Sequence, residues 1–401
     1  MAVISTSFLD PSHDHIGRWI KGLLDAGIDI HIFTETRNLD TVVDDGLTAS
    51  FFAKRVHLLN DVYHPWKIPP ENYVRGVFSF LRPAWMGYLL YSVKKYERVK
   101  RRIFKKVLEY LPWHNMQFDL VHFNYPKIAL RRFELGELFQ SKTLTSFRGQ
   151  DLTFYPGLFS SLFKQCTWFH FISEHLRHEA QSQGLASSNY SVIPPMVDTE
   201  YYRPANLNKP RKGKRDRWIF YTAARLYWLK GFEYVLQALK ILIDEGWMID
   251  YYISGEGEHF LAIDYAINDL GLREHVHLLG WSSPEVKREW MQKADLYLLG
   301  SVSEGFNNSV LQAQACGLPV VCTDAGGLPE NVEDGVSGLI ARRRDPQDFS
   351  SKIQYLLENP ELLALMRINA RVRAEHLFSI DKVVQQFVNL YHHIENLSGR
   401  C

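Results

Sequence analysis

Short apolar runs alternate with longer amphipathic segments along most of this chain of 401 residues. The runs at residues 2–5 and 28–33 are short enough to be buried strands. Between them, residues 16–26 carry apolar side chains at helical spacing, which predicts a helix with one buried face. A strand, a helix and a second strand in this order predict a parallel sheet, and hence an α/β protein.

The alternation continues along the rest of the chain, except over residues 60–116, where it is lost. Further strands are predicted at 120–123, 142–147, 169–173, 218–222, 249–254, 276–279, 296–299 and 318–322. Helices are predicted from Pro284 onwards, over most of 346–373, and over 378–394. A chain of 401 residues is too long for one ordinary core, so we expect two domains.

Residues 295–338 are the stretch around which the chain is organised. The strand at 296–299 leads into the loop 301–308, which contains Glu304 and Gly305. A helix is predicted over 309–316, with Asn307 or Asn308 as its N-cap. The free N–H groups and the positive dipole end of this helix would face an anion such as phosphate. Glu304 cannot favour a phosphate, so it is better suited to hydroxyl groups beside it, and the two together indicate a nucleotide-sugar.

The same stretch resembles the donor-site signature of retaining GT-B glycosyltransferases, family 4. The motifs S-E-G-F-x-x-S, A-x-A-C-G-L-P-V-V, D-x-G-G-L-P-E and D-G-x-x-G occur in the order that the family shows. Glu304 matches the first of two glutamates in the signature, and Gln312 stands where the second belongs. The resemblance implies an α/β fold of two Rossmann-like parallel-sheet domains that face a central cleft. It also implies transfer of a sugar, with retention, from a nucleotide-diphosphate sugar to an acceptor hydroxyl.

The resemblance also implies where the domains divide. Residues 191–204, with Pro194 and Pro195, resemble the crossover between the two domains of the family. We therefore expect an N-terminal acceptor-binding domain over 1–197 and a C-terminal donor-binding domain over 198–377. Residues 378–401, which include the last predicted helix, are expected to return to the N-terminal domain.

In the second domain, Arg225 and Lys230 resemble the paired cations that hold the donor diphosphate. Two positive groups five residues apart across a strand-to-helix turn can reach one pyrophosphate and neutralise it as it leaves. With Glu304, which would orient the sugar, they are the catalytic candidates, and Gln312 would bind the ribose. The other donor-binding candidates are Gly255, Gly280, Trp281, Gly305, Phe306, Asn308 and Ser309. The resemblance implies a UDP- or GDP-sugar donor and no metal or other cofactor, and the sequence has no Asp-x-Asp cluster to hold a metal ion.

In the first domain, Arg148-Gly149-Gln150-Asp151 resembles the H-G-x-D motif at the cleft of the family. Arg148 stands in place of the histidine; an arginine cannot act as a general base, but it can bind a phosphate or a carboxylate. Asp151 either binds a sugar hydroxyl or caps a helix. Ser173 matches a position that faces the cleft. His13 lies in the first loop, which in the family approaches both substrates, and is otherwise a solvated loop residue.

Composition and charge exclude several classes of protein. The net charge of +1 argues against a dedicated nucleic-acid binder. The four cysteines are too scattered for a disulfide framework or a zinc site. Residues 1–8 lack the features of a secretory signal, and no apolar run approaches the roughly 20 residues that span a bilayer. From these features we expect a cytoplasmic protein.

Residues 60–116 are rich in aromatic and basic side chains. Residues 94–106 predict an amphipathic helix with a basic face. This helix is either a solvated surface helix or a surface for an anionic membrane or a phosphorylated acceptor. The second interpretation places the protein at the inner membrane face, with a carbohydrate, lipid-linked or other hydroxyl acceptor.

Two alternatives to a glycosyltransferase stay open from the sequence. A nucleotide-sugar epimerase or hydrolase of the same fold would share the phosphate loop but need no acceptor. A non-catalytic nucleotide-sugar-binding subunit would explain why Gln312 and Arg148 both depart from the family pattern.

If residues 94–106 contact a membrane, the protein should float with liposomes that contain anionic lipid at low salt. Each basic residue near such a surface contributes about 1 kcal/mol, and salt screens the attraction. Reversal of four charges to Glu should abolish flotation, at Lys100, Arg101, Lys105 and Lys106. Liposomes of neutral lipid serve as the control. If the protein stays unbound at low salt, or if binding survives the charge reversal, the membrane interpretation is wrong. The interpretation as a solvated surface helix then remains.

Overall fold

The computed structural model of the protein describes residues 1–8, 14–37, 55–59, 116–149, 151–206 and 216–397. These residues form two parallel sheets covered by helices, so the predicted two-domain α/β fold is confirmed. The predicted aromatic and basic segment, residues 60–116, lies outside the described residues apart from residue 116, and so does His13. No helix among the described ranges is long and apolar enough to cross a membrane.

The N-terminal sheet has seven strands in the order β3-β2-β1-β4-β5-β6-β7. They are β1 (Ala2–Phe8), β2 (His31–Arg37), β3 (Val56–Leu58), β4 (Leu120–Phe123), β5 (Lys142–Phe147), β6 (Trp168–Phe171) and β7 (Tyr190–Val192). Every neighbouring pair is parallel. The described helices of this half are α1 (Asp14–Asp25), α2 (Pro126–Arg132), α3 (Glu134–Leu138), α4 (Asp151–Phe154) and α5 (Glu174–Ser182).

The C-terminal sheet has six strands in the order β10-β9-β8-β11-β12-β13. They are β8 (Trp218–Ala223), β9 (Ile249–Ser254), β10 (Val276–Gly280), β11 (Leu296–Leu299), β12 (Val320–Thr323) and β13 (Gly338–Ala341). The helices that follow these strands are α6 (Phe232–Asp244), α7 (Phe260–Asp269), α8 (Pro284–Lys293), α9 (Asn308–Ala315), α10 (Leu328–Asn331) and α11 (Pro346–Glu358). The two remaining helices are α12 (Pro360–Phe378) and α13 (Ile380–Glu395).

The last helix returns to the first domain, as expected. The apolar face of α13, with Val383 and Phe387, shares a buried cluster with Trp19 and Ile20 of α1. Its carboxyl end is held by Lys142 Nζ, which donates to the carbonyls of residues 394, 395 and 397 at 2.9, 2.8 and 2.7 Å. A cation at this position satisfies carbonyls that have no partner within the helix and complements the dipole.

The start of β2 differs from the prediction. The strand begins at His31, three residues later than expected, because Ile28 still closes the end of α1. Gly27 has a φ of 86°, and the N–H of Ile28 donates to the carbonyl of Leu23 at 3.0 Å. An apolar residue that follows a left-handed glycine is typical of a helix end, so the apolar run begins before the strand does.

Beneath α13, a chain of hydrogen bonds crosses three strands of the first sheet. His170 Nε2 donates to the carbonyl of Ile193 at 2.8 Å, so its Nδ1 accepts from the hydroxyl of Ser146 at 2.7 Å. Ser146 then accepts from His122 Nε2 at 2.6 Å, and His122 Nδ1 accepts from the hydroxyl of Tyr391 at 3.0 Å. Burial, and then the charge of Arg148, lower the pKa of both histidines, that of His170 to about 3. Both are therefore neutral, and the chain links α13 to the sheet.

Acid should destabilise the fold through these two histidines. Below pH 6.5 a histidine of the unfolded chain gains a proton, whereas these two histidines stay neutral in the folded protein. The free energy of unfolding therefore falls as the pH falls. We expect each histidine to lower the free energy of unfolding by about 1.4 kcal/mol per pH unit below pH 6.5, down to about pH 3 for His170. Urea unfolding between pH 7 and pH 5 measures this slope.

The double variant His122→Gln, His170→Gln is the comparison for that slope. It should be less stable at pH 7 but less sensitive to acid, while the other histidines of the chain titrate equally in both proteins. An unchanged slope in the double variant would contradict the argument.

Candidate functional site

The site lies where the carboxyl ends of the two sheets face each other. In each sheet the strand order reverses, at β1 and β4 in the first and at β8 and β11 in the second. Ligands of open α/β sheets bind at such switch points, beyond the carboxyl ends of the strands. A cleft of about 650 Å³ opens there, lined by residues that follow β4 and β5 on one side and β8 and β11 on the other.

Glu304 and Lys230 form an ion pair in the floor of this cleft. Lys230 Nζ lies 2.5 Å from Glu304 Oε1, and the same oxygen accepts from Ser301 Oγ at 2.9 Å and Asn307 Nδ2 at 3.0 Å. Glu304 is only 6% exposed. Oε2 accepts no hydrogen bond within the described ranges, so this oxygen is left for a ligand.

A close backbone contact brings the two loops of the ion pair together. Gly231, directly after Lys230, has a φ of 58°, and a Cβ at this position would lie 2.0 Å from the carbonyl oxygen of Gly300. Only glycine fits there. The N–H of Val302 adds a hydrogen bond of 2.9 Å to the carbonyl of Leu229. The turn that carries Lys230 is thus fixed against the loop that carries Glu304.

The start of α9 offers two free backbone donors at the cleft. Asn307, one of the two predicted candidates, is the N-cap, and its side chain accepts from the N–H of Val310 at 3.1 Å. The N–H groups of Asn308 and Ser309 have no acceptor within the described part of the chain, and both residues line the cleft. A helix start with unpaired N–H groups is suited to an anionic ligand.

Arg225 supplies a positive charge without a partner. It follows β8, lines the cleft and is exposed, and no carboxylate of the described residues pairs with it. Phe306 lies in the same wall. Arg225, Lys230, Glu304 and the start of α9 therefore lie together at the cleft, and the roles assigned to them stay predictions.

The opposite wall of the cleft comes from the N-terminal domain and contains Arg148 and Asp151. Asp151 is the first residue of α4, and its carboxylate lies 3.3 Å from Lys127 Nζ. Burial raises the pKa of Asp151, and Lys127 partly offsets this effect. The carboxylate of Asp151 thus lies in the cleft beside a lysine, and both roles, binding of a sugar hydroxyl and capping of a helix, stay predictions.

Several predicted residues do not line this cleft, and their roles stay predictions. Gly255 and Gly280 lie at the ends of β9 and β10, where the N–H of Gly255 donates to the carbonyl of Gly280 at 2.7 Å. Trp281 is 63% exposed. Gln312 is half-buried one turn into α9, and Gly305 packs against the backbone of Gly149. Ser173 is fully buried, and its hydroxyl caps α5 by accepting from the N–H of Leu176.

Sequence reasoning missed Tyr125, Tyr227 and Glu258 of the cleft, and it missed Lys127, which lies beside Asp151. Each follows a predicted strand by a few residues. The position after a strand was the signal that could have found them.

The sequence also missed a contact between the domains. Glu330 at the start of α10 accepts from the backbone N–H groups of Glu174 and His175, at 2.7 and 2.8 Å. A carboxylate of the C-terminal domain thus caps α5 of the N-terminal domain and complements the positive end of its dipole. Next to it, a Cβ at Gly327 would lie 3.3 Å from the side chain of Ser173.

The architecture defined by the two facing domains is that of GT-B glycosyltransferases. A sucrose-phosphate synthase from Thermosynechococcus elongatus matches with a TM-score of 0.74 over 98% of each chain, at 18% identity. The Anabaena protein HepE, solved in complex with UDP and glucose, matches with a TM-score of 0.71 over 99% of each chain, at 17% identity. At such low identities the likeness establishes the fold.

Sequence comparison relates the second domain to a family of glycosyltransferases. Residues 205–373 match the family model of glycosyl transferases group 1, and this range contains every cleft residue that follows β8 and β11. The amylovoran biosynthesis glycosyltransferase AmsK of Erwinia amylovora is 28% identical over 65% of this chain and 66% of the relative. A D-inositol 3-phosphate glycosyltransferase of Paenarthrobacter aurescens is 31% identical over 52% of each chain.

An N-acetyl-alpha-D-glucosaminyl L-malate synthase of Bacillus anthracis is 24% identical over 76% of this chain and 82% of the relative. The chain spans about half to two thirds of the length of the first two curated relatives. The C-terminal domain therefore carries the match to group 1 glycosyltransferases, and the residues of the opposite wall lie outside the matched family range.

The ion pair between Lys230 and Glu304 should be measurable as a coupling energy. Loss of either partner leaves a half-buried charge unpaired, which destabilises the fold, so the double variant Lys230→Met, Glu304→Gln should lose less stability than the sum of the single variants. We expect a coupling of about 1–3 kcal/mol from urea unfolding.

The exposed pair Lys240 and Asp244 on α6 is the matched control. Its cycle, Lys240→Met with Asp244→Asn, should show about 0.5 kcal/mol or less. Equal couplings for the two pairs would mean that the cleft pair is no stronger than a surface pair.

Proposed function

We propose that this protein transfers a glycosyl group from a nucleoside-diphosphate sugar to an acceptor hydroxyl, with retention at the anomeric carbon. The observation that carries the proposal is the convergence on one cleft of two cations, a helix start with free N–H groups and a buried carboxylate with one free oxygen. The diphosphate of a nucleotide-sugar needs positive groups and N–H donors, and the sugar beside it needs a carboxylate oxygen that accepts from a hydroxyl.

The donor diphosphate binds against Arg225, Lys230 and the start of α9. Lys230 has three N–H donors and gives one to Glu304, so two remain for phosphate oxygens. As the sugar–phosphate bond breaks, negative charge grows on the departing diphosphate, and these fixed positive groups stabilise it. Their charge is the reason to propose that no metal ion is needed. Names of fold neighbours that include UDP support a UDP-sugar as the donor.

Glu304 orients the donor sugar. Three donors hold Oε1, which leaves Oε2 to accept a hydrogen bond from a sugar hydroxyl. Gln312 binds the ribose in this proposal. The acceptor enters against the N-terminal wall, and the departing phosphate accepts the acceptor proton, so no histidine base is needed where Arg148 stands.

The names of the relatives favour transfer to an acceptor over the two alternatives. AmsK and the inositol-phosphate enzyme are named as glycosyltransferases, whereas an epimerase, a hydrolase or a non-catalytic subunit is named in none of the matches described above. The product of this protein therefore belongs to the synthesis of a polysaccharide, a glycolipid or another glycoconjugate, and residues 60–116 are the proposed membrane contact.

The test is consumption of UDP-sugars and GDP-sugars with and without sugar acceptors, in buffer that contains a metal chelator. Acceptor-dependent release of the nucleoside diphosphate supports transfer, and NMR of the product reports the anomeric configuration. Consumption that does not depend on an acceptor would indicate a hydrolase or an epimerase. Binding without any consumption would indicate the non-catalytic subunit.

Arg225→Ala should lower turnover by about 10²-fold, because Arg225 stabilises charge that grows on the departing diphosphate. The matched control is Arg273→Ala, which removes an exposed arginine of the same domain that pairs with Asp264 outside the cleft. Turnover by Arg225→Ala close to that of the control would remove Arg225 from the chemistry.

A further inference from the structure

Arg148 lies at the cleft without a carboxylate partner among the described residues. It follows β5 directly and lines the N-terminal wall. Its Nε is buried and has no hydrogen-bond partner in the described part of the chain. One face of the guanidinium lies over the ring of Trp19, with Cζ 5.4 Å from the ring centroid. The indole N–H of Trp19 is also buried, and none of the described residues accepts from it.

No negative group of the described residues neutralises Arg148. Its titratable neighbours are His122, His170 and two tyrosines, Tyr125 and Tyr391. Burial keeps the pKa of both histidines low and that of Tyr391 high, so these three are neutral. The charge of Arg148 is therefore held in place without an anion from the described residues.

The carboxylates that line the cleft are engaged elsewhere or exposed. Asp151 lies 3.3 Å from Lys127 Nζ, and Glu304 lies 2.5 Å from Lys230 Nζ. Glu258, the remaining acid of the lining, is exposed on the C-terminal domain and forms no ion pair within the described ranges. Each wall of the cleft thus presents one arginine that has no carboxylate partner among the described residues, Arg225 on one side and Arg148 on the other.

A half-buried guanidinium without an anion is unfavourable by itself, because part of its hydration is lost and nothing replaces it. Its planar fork of N–H donors matches the two oxygens of a carboxylate or the oxygens of a phosphate. Arg225 and Lys230 account for the donor diphosphate on the other wall. The fork of Arg148 is left for a second anionic group.

We propose that Arg148 binds a carboxylate or phosphate group of a substrate, other than the donor diphosphate, so that the protein selects an anionic sugar. This inference rests on the proposed function, in which both substrates meet in this cleft. The anionic group comes either from the donor, as the carboxylate of a uronic acid, or from the acceptor, as a sugar phosphate or sugar acid. In both cases Arg148 determines specificity by a bidentate contact.

The experiment compares ligands that differ only in the anionic group. Isothermal titration of the full chain measures UDP-glucuronate against UDP-glucose. With saturating UDP, and again without it, titration measures glucose 6-phosphate and glucuronate against glucose. The proteins are wild type, Arg148→Gln, Arg148→Lys and the control Arg131→Gln, which removes an exposed charge on α2 of the same domain. Thermal unfolding confirms that each variant is folded.

The wild type should bind the anionic member of at least one pair about 10- to 100-fold more tightly, as expected for charge-assisted hydrogen bonds. Arg148→Gln should lose this preference, Arg148→Lys should keep part of it, and Arg131→Gln should keep all of it. Preference within the UDP-sugar pair assigns the anion to the donor, and preference within the free-sugar pairs assigns it to the acceptor.

Absence of preference in the wild type, or a preference that survives in Arg148→Gln, would overturn the proposal. If Arg148→Gln does not fold, an undiminished preference in Arg148→Lys overturns it and a reduced one supports it. Failure of the proposed function gives a different result: UDP, GDP and ADP all fail to bind, while the free-sugar pairs still report on Arg148.

Discussion

The ion pair between Lys230 and Glu304 is the interaction on which the cleft depends. It joins the turn after β8 to the loop after β11, the two elements that flank the switch point of the second sheet. A carboxylate that is only 6% exposed is stable there because one lysine, one hydroxyl and one amide all donate to a single oxygen. The pair therefore fixes the lysine and frees the second carboxylate oxygen at the same time.

The loop after β12 connects this ion pair to the position of the other domain. Gly327 donates its N–H to the carbonyl of Glu304 at 2.9 Å, and a Cβ at Gly326 would lie 2.0 Å from that carbonyl oxygen. Three residues later, Glu330 caps α5 of the N-terminal domain. One short segment thus packs beneath the catalytic candidate and also holds the opposite wall. A separation of the domains would have to break the Glu330 contact, and it would disturb the segment against which Glu304 is positioned.

The sequence predicted the elements well where burial alone decides them. The strands at 120–123, 249–254 and 296–299 agree with the structure to the residue, because runs of apolar side chains flanked by polar ones leave little freedom in their bounds. The start of α9 and its cap were predictable to within one residue, because Asn307 acts on its own helix. Contacts between distant loops were not predictable. The pairing of Lys230 with Glu304 depends on the close contact between Gly231 and Gly300, which are far apart in the sequence, and the capping of α5 by Glu330 depends on how the two sheets are placed.

The positions of two arginines determine how the cleft responds to an anionic ligand. Arg225 and Arg148 lie on walls that belong to different domains, and neither has a carboxylate partner within the described residues. When no anionic ligand is bound, these two cations repel each other across the cleft. The repulsion is strongest when the walls are close and water is excluded. An anionic ligand between them replaces this repulsion with two attractions. Because Glu330 links the same two walls by hydrogen bonds at their edge, binding of anions and contact between the domains should reinforce each other.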